Sequence, residues 1–481
     1  MTPLHLTAEA AHDELAARLA AIPVELELPR EFSPEVIAEA EAAAAHPDLP
    51  EADQTDIDFV TMDPPGSTDL DQAFFIERAG NGWRVLYAIA DVPAFVTPGG
   101  AVDEEARKRG QTVYAADGRI PLHPTVISEG AASLLPEQVR GAFVWDHTLD
   151  ASGNVTATSV ARARIRSRRQ LDYPASQADL AAGRGPDAAL LGMLRGVGRA
   201  RMALEAQRGG ASLSTPEILV SMEDGRYTLD RRRLLPIEDW NAQLSLMTGM
   251  AAATMMLDGG VGILRTMPAA DPGAVDKFRR QARALGLPWP EDQRYGDYLR
   301  MLDGDDPKHL AILHAAASLF RGAGYTAFDG SAPENTAQAA VGAPYAHVTA
   351  PLRRLVDRFG LVLCEALSAG TAVPDWARAA LPELPKIMAR SSNAANRLDR
   401  MTLDAVEAAL LVQRIGDEFD AVVLSAGGMS GSQHRDGGRV QLLDPAVEGV
   451  CDGHLEPGTD VRVRLTEADI ASGSVRFALA G

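Results

Sequence analysis

The chain is poor in cysteine, in aromatic residues and in long uncharged runs. Two cysteines, Cys364 and Cys451, in 481 residues cannot form a disulfide framework, so a reducing cytoplasm is the expected compartment. No uncharged stretch approaches the roughly 18 apolar residues of a membrane span. The first residues carry His5, Glu9, Asp13 and Glu14 and lack the basic start and apolar core of a signal peptide. Positive charge is also scarce: 46 Lys and Arg face 66 Asp and Glu, for a net charge of -20. That balance argues against a protein that coats nucleic acid by general electrostatics, because nonspecific phosphate binding needs clustered cations. It leaves room for an enzyme that draws one strand into a locally basic channel. The charges are uneven, with ten acids against Arg18 and Arg30 in residues 1–50, and five arginines between 162 and 169.

What is present is 46% hydrophobic and rich in alanine, as in an ordinary soluble, helix-rich protein of two or three domains. Residues 7–21 and 33–45 have strong helix propensity, and Ser33-Pro34 reads as a cap followed by a first-turn proline. His46 to Pro50 marks a boundary. From 55 to 165, short apolar segments such as Phe74 to Ile76, Trp83 to Ala90 and Ala142 to Trp145 alternate with turns and predict strands, with a helix near 102–109. Residues 186–413 are mostly helical, and 418–481 return to four or five short strands, the pattern of a small OB-fold barrel.

Residues 62–73 read MDPPGSTDLDQA. Asp69 and Asp71 lie two apart, so extended backbone points both to one face, and the Pro64-Pro65-Gly66 bend can fold Asp63 toward them. Converging hard oxygens suit Mg²⁺, and a pair of such ions would support phosphodiester hydrolysis. A solvated acidic turn is the equal alternative for this stretch alone. Residues 345–358, YAHVTAPLRRLVDR, add two adjacent guanidiniums, Arg353 and Arg354, suited to phosphate, and Thr349, whose hydroxyl suits either a phosphate oxygen or a helix cap.

Together the two stretches resemble the RNB-domain exoribonucleases, the family of RNase II, RNase R and the exosome nuclease. Asp63-Pro64, Asp69, Asp71 and Ala73 fall in register with its acidic signature. Tyr345, His347, Thr349, Pro351, Arg353, Arg354 and Asp357 follow its arginine signature. Residues 111–140, 165–173 and 263–272 are similar to intervening family segments, so the likeness runs in order from about 50 to 410. Helix propensity gives a helical N-terminal region (1–49), too short for the cold-shock barrels of many bacterial relatives and expected as either a helix-turn-helix-like unit or a packing arm. The resemblance implies a mixed α/β RNB catalytic domain (50–413) and a C-terminal OB-fold barrel (414–481), for an α+β architecture. It also implies processive 3′→5′ hydrolysis of single-stranded RNA to 5′-mononucleotides by a cytoplasmic monomer. One or two Mg²⁺ ions would serve, with Mn²⁺ as a substitute and no small-molecule cofactor.

By position, Asp63, Asp69 and Asp71 would be metal ligands, with Gln72 offering an amide oxygen where the family carries a fourth Asp. Asp71, Asp69 and Arg353 would be catalytic, Arg353 bracing the scissile phosphate. Arg354, Thr349 and His347 would support RNA. Tyr114 would stack on a base or, with equal weight, serve as a core tyrosine. Gln72, Ala350 in place of the motif's Ser, and Leu403 in place of a functional Glu motivate a second reading, an RNA-binding or regulatory relative with weakened catalysis. Few aromatics and six arginines against about twice as many acids leave the C-terminal segment a modest grip on RNA.

Overall fold

The computed structural model describes residues 4–5, 9–115, 118–211, 217–223, 226–304, 306–426, 429–430, 433–434, 437–445 and 447–480. Two helices come first, α1 (Glu9–Glu25) and α2 (Pro34–Ala45). The Ser33 hydroxyl accepts from the Val36 amide at 3.4 Å and Pro34 sits in the first turn, as the sequence predicts.

Apolar alternation then closes a five-stranded barrel. Strands β1 (Phe59–Asp63), β2 (Gln72–Ala79) and β3 (Gly82–Ala90) lead into helix α3 (Ala101–Arg109) and a short hairpin, β4 (Val113–Ala115) and β5 (Gly118–Ile120). Strands β6 (Val139–Leu149) and β7 (Val155–Asp172) complete the barrel in the order β1-β2-β3-β6-β7, with β1 parallel to β7 so that Asp63 lies opposite Asp172. β3 shows why the barrel is buried on both sides. Its Trp83, Val85, Tyr87 and Ile89 join one core cluster, and Leu86, Ala88 and Ala90 join another. Successive side chains of a strand point to opposite faces, so a run of apolar residues needs cover on both.

That cover is helical. Helices α4 (Ala188–Arg208) and α5 (Pro236–Gly259) pack together, and α6 (Leu355–Ala369) lies on α5 and β7. Strands β8 (Val261–Thr266) and β9 (Gly324–Asp329) pair antiparallel beside α5. A buried ion pair ties α6 to α3, Arg358 Nη1 lying 2.5 Å from Asp103 Oδ1. The long helix α7 (Leu384–Leu411) then leads to a second closed barrel. Its strands are β10 (Glu418–Ala426), β11 (Gly438–Leu442), β12 (Glu448–Asp452), β13 (Asp460–Asp469) and β14 (Ser474–Leu479), in the order β10-β11-β12-β14-β13.

The N-terminal helices are seated on different partners. α1 buries Leu15, Leu19 and Ile22 in a core shared with α7 and the second barrel. α2 lies against α3, where the Glu39 carboxylate accepts from the Ala101 and Val102 amides at 2.7 and 3.2 Å and satisfies the start of that helix. Both helices thus bury apolar or capping contacts against the rest of the chain.

Candidate active site at the mouth of the first barrel

Residues 64–71 cross one mouth of the first barrel, where β1 ends at Asp63 and β2 begins at Gln72. The bend is closed by Ser67, whose amide and hydroxyl both donate to the Pro64 carbonyl, and Gly66 takes a positive φ of 82° that a side chain would strain. Ser133 clamps the loop from outside. Its hydroxyl accepts from the Leu70 amide at 2.9 Å and donates to the Thr68 carbonyl at 2.7 Å, while Leu134 N donates to Leu70 O. Leu70 itself is fully buried, so the flanking acids are held by a hydrophobic anchor between them.

The arginine stretch is folded onto the same mouth. Asp71, 3% exposed, accepts from the Leu352 amide at 2.8 Å, and its other oxygen lies 3.6 Å from Arg353 Nε. Burial holds the Asp71 carboxyl well above the usual carboxylate range, against the pull of Arg353 and the Leu352 amide. Arg353 keeps 43% of its side chain exposed beside it. The two signatures, some 280 residues apart in sequence, thus form one site.

The neighbouring residues are more committed than the sequence suggests. Arg354 forks onto Asp357 at 2.8 and 2.9 Å, and Asp357 also accepts from the Ala350 amide. The Arg354 guanidinium therefore braces the turn that presents Arg353. His347 is partly buried, bonds the Tyr325 hydroxyl at 2.7 Å through Nδ1, and is held neutral by desolvation and by Arg354, so it too is placed as support. Thr349 is 3% exposed and does not cap α6, whose cap position is Arg354. Gln72 donates its amide nitrogen to the Thr349 carbonyl, stitching the acidic loop to the arginine stretch. Tyr114, about half exposed on β4, fits the stacking alternative better than the core one, with its hydroxyl 3.5 Å from Asp69. Its phenol is pushed up to about 12 by desolvation and the Asp69 charge.

Arg119 was not foreseen. It stands opposite Tyr114 in the hairpin, with one nitrogen 2.6 Å from Asp69 Oδ1 and the other 2.6 Å from Thr68 Oγ1 and 2.7 Å from Glu129. Nothing in its own stretch of sequence names Asp69 as its partner.

The donor set suits a hard divalent cation. Asp63 Oδ2 is buried with no hydrogen-bond partner, and burial together with the Asp69 charge pushes the Asp63 carboxyl up to about 7 against the influence of Arg353. A cation at this point would offset both costs. Among the described residues no three of the acids close into a ready-made cage, and Arg119 and Arg353 engage Asp69 and Asp71. Gln72, with its nitrogen on Thr349, brings no negative charge.

Comparison with known proteins agrees with this geometry. Residues 52–363 match the RNB domain, and residues 417–480 match the RNase II-type exonuclease C-terminal S1 domain. Ribonuclease R of Escherichia coli is 25% identical over 425 residues, covering 83% of this chain and 50% of its own. The human exosome complex exonuclease RRP44 is 28% identical over 238 residues, 47% of this chain and 24% of its own. The chain spans about half or less of the length of these curated relatives. Apo RNase R of Mycoplasma genitalium has the same fold, with a TM-score of 0.84 at 18% identity over 97% of this chain and 78% of its own. Yeast Ssd1, described as a pseudonuclease, matches at a TM-score of 0.71 and 16% identity, over 95% of this chain and 57% of its own. With the matched domain covering well over half of its residues, this chain belongs to the RNB-domain family, homologous to RNase R and RRP44 and ending in an S1 barrel.

Proposed function

We propose that the protein is a Mg²⁺-dependent exoribonuclease that degrades single-stranded RNA processively from the 3′ end to 5′-mononucleotides. The observation that carries this reading is the buried carboxylate Asp71 held against the half-exposed guanidinium of Arg353 at the mouth of the barrel. Asp63, Asp69 and Asp71 would hold the ion, which supplies an activated water and charge stabilisation when bound, with Mn²⁺ as a substitute. Arg353 binds a non-bridging oxygen of the scissile phosphate and neutralises the charge that grows there as water adds to phosphorus. The bond to the ribose 3′-oxygen breaks, that oxygen takes up a proton, and the released nucleotide keeps the 5′-phosphate. Arg354 and Asp357 keep Arg353 in place, and Tyr114 offers an exposed ring for a base to stack on. Domain limits at residues 49 and 413, a monomeric state and a cytoplasmic location belong to the same proposal. Among the described residues no helix is long and apolar enough to cross a membrane.

The test is digestion of a uniformly labelled single-stranded RNA with and without EDTA. Mononucleotide release that stops on chelation is the expected result. RNA binding without hydrolysis would favour the second reading, a weakened RNA-binding relative, which the committed amide of Gln72 supports.

A further inference from the structure

Two guanidiniums flank the acidic loop, and they are held differently. Arg353 Nε stands 3.6 Å from Asp71 Oδ2. Arg119 is closed on two carboxylates at once. Its Nη1 lies 2.6 Å from Asp69 Oδ1, and its Nη2 lies 2.7 Å from Glu129 Oε2 and 2.6 Å from Thr68 Oγ1. The contact occupies one oxygen of an acid that would hold the metal ion. A cation arriving at Asp69 therefore meets a cation already there.

Glu129 lies outside the ligand set, on the helical turn Val126–Ala131. Its place does not depend on Arg119. The Thr68 hydroxyl donates to Glu129 Oε2 at 2.9 Å, and Arg140 fastens the turn by donating to the Gly130 and Ser133 carbonyls, both at 3.1 Å. Arg119 is carried by a third element, strand β5 of the hairpin. Its guanidinium thus bridges a loop that bears a metal ligand and a turn that does not. Giving up Asp69 would cost it one of two charge-assisted contacts, and the pair with Glu129 would remain. The side chains of Arg119, Asp69 and Glu129 are only 27, 16 and 25% exposed, so solvent screens these contacts less than it does an open surface pair.

We propose that Arg119 is a positioning residue of the metal site, a resident counter-cation that holds Asp69 in the metal-free protein and falls back on Glu129 when Asp69 turns to the ion. The inference rests on Asp63, Asp69 and Asp71 as the metal ligands. Arg119 then acts on the site in two ways. It keeps Asp69 in place against the repulsion of Asp63. It also competes with the ion for the Asp69 oxygen, and Glu129 limits that competition by offering the guanidinium a second partner. Glu129 favours the ion through Arg119, without being a ligand.

The test is Mn²⁺ titration of the full-length chain without RNA, followed by electron paramagnetic resonance and reading the site that Asp63→Asn removes. Arg119→Gln raises the Mn²⁺ affinity of that site about tenfold or more, because a unit positive charge beside a ligand is gone. A purely structural role would weaken binding by loosening Asp69. Glu129→Gln lowers the affinity, and most of that loss disappears when Arg119 is already Gln, as expected of two residues that act together. Unchanged or weaker binding in Arg119→Gln overturns the proposal. So does an equal loss from Glu129→Gln in both backgrounds, which would be a charge effect without exchange of partners. Absence of any Mn²⁺ site sensitive to Asp63→Asn overturns the proposal and the metal site together. The expected binding pattern in a protein that digests no RNA supports the role of Arg119 and overturns the exoribonuclease reading alone.

Discussion

The chain closes two five-stranded barrels that pair strand arginines with acids alike and differ at the mouth of the first. In the C-terminal barrel the arginines on the strands are answered by acids on the same barrel. Arg462 reaches Glu418 and Asp420 at 3.2 and 2.9 Å, Arg464 reaches Glu418 at 2.8 Å, and Arg439 reaches Glu448 at 3.2 Å. Four of the five arginines in the run on β7 of the first barrel, Arg162, Arg164, Arg168 and Arg169, are paired in the same manner, by Asp91, Asp53, Asp58 and Asp187. The mouth of the first barrel departs from this pattern, leaving Asp63 with an orphaned oxygen and Asp71 buried. The difference locates the chemistry: closed ion pairs mark scaffold, and uncompensated charge marks the place where something else must bind.

The largest effect expected at the uncompensated mouth is on turnover. Asp71→Asn should lower RNA hydrolysis by roughly 10²–10³-fold or more while RNA binding persists. Activity near wild type would remove the mouth from the comparison. A closed pair should register in stability instead. Asp103→Asn strands the buried Arg358 guanidinium and should cost about 3–5 kcal/mol in urea denaturation. The acids of the mouth should also shape the pH profile of the metal-free protein. Asp63 titrates near 7 folded and near 3.8 unfolded, so the folded state holds the extra proton between these values. Stability in EDTA should therefore fall as pH rises from about 4 to 7 and level off above, and Asp63→Asn should remove that slope. A rising slope from this residue contradicts the assignment.

A smaller effect is expected at Gln72, where Gln72→Asp sets a carboxylate against the Thr349 carbonyl and should cost about 1–3 kcal/mol by denaturation. Smallest of all, Glu418→Gln on the second barrel frees Arg464 and leaves Arg462 with Asp420 alone. Stability should change by less than about 1 kcal/mol, and RNA affinity should rise with a steeper salt dependence.

The fold was legible where local pattern decides it. The apolar run 83–90 forms β3, Ser33-Pro34 caps α2, and the short segments after 418 close the second barrel. The acidic and arginine stretches could be read as a site because each carries its chemistry at fixed spacing. What stayed hidden depends on contacts across long loops. Nothing near Gln72 in sequence names Thr349 as its partner, and nothing near Leu70 names Ser133. Arg354 and Arg353 look equivalent as neighbours, yet the backbone aims one at Asp357 and the other at Asp71. Local spacing says which side chains are available, and tertiary packing decides which of them remain uncommitted.

The hairpin that carries Tyr114 and Arg119 is rooted by Val113 and Ile120 in the same core as α1, α7 and the C-terminal barrel. The barrel is thus a mechanical footing for one wall of the active site as well as an appendage. Cutting the chain after α7 would strip half of that footing and let the wall drift. Loss of activity in such a deletion would report a loosened hinge before it reported a lost RNA handle.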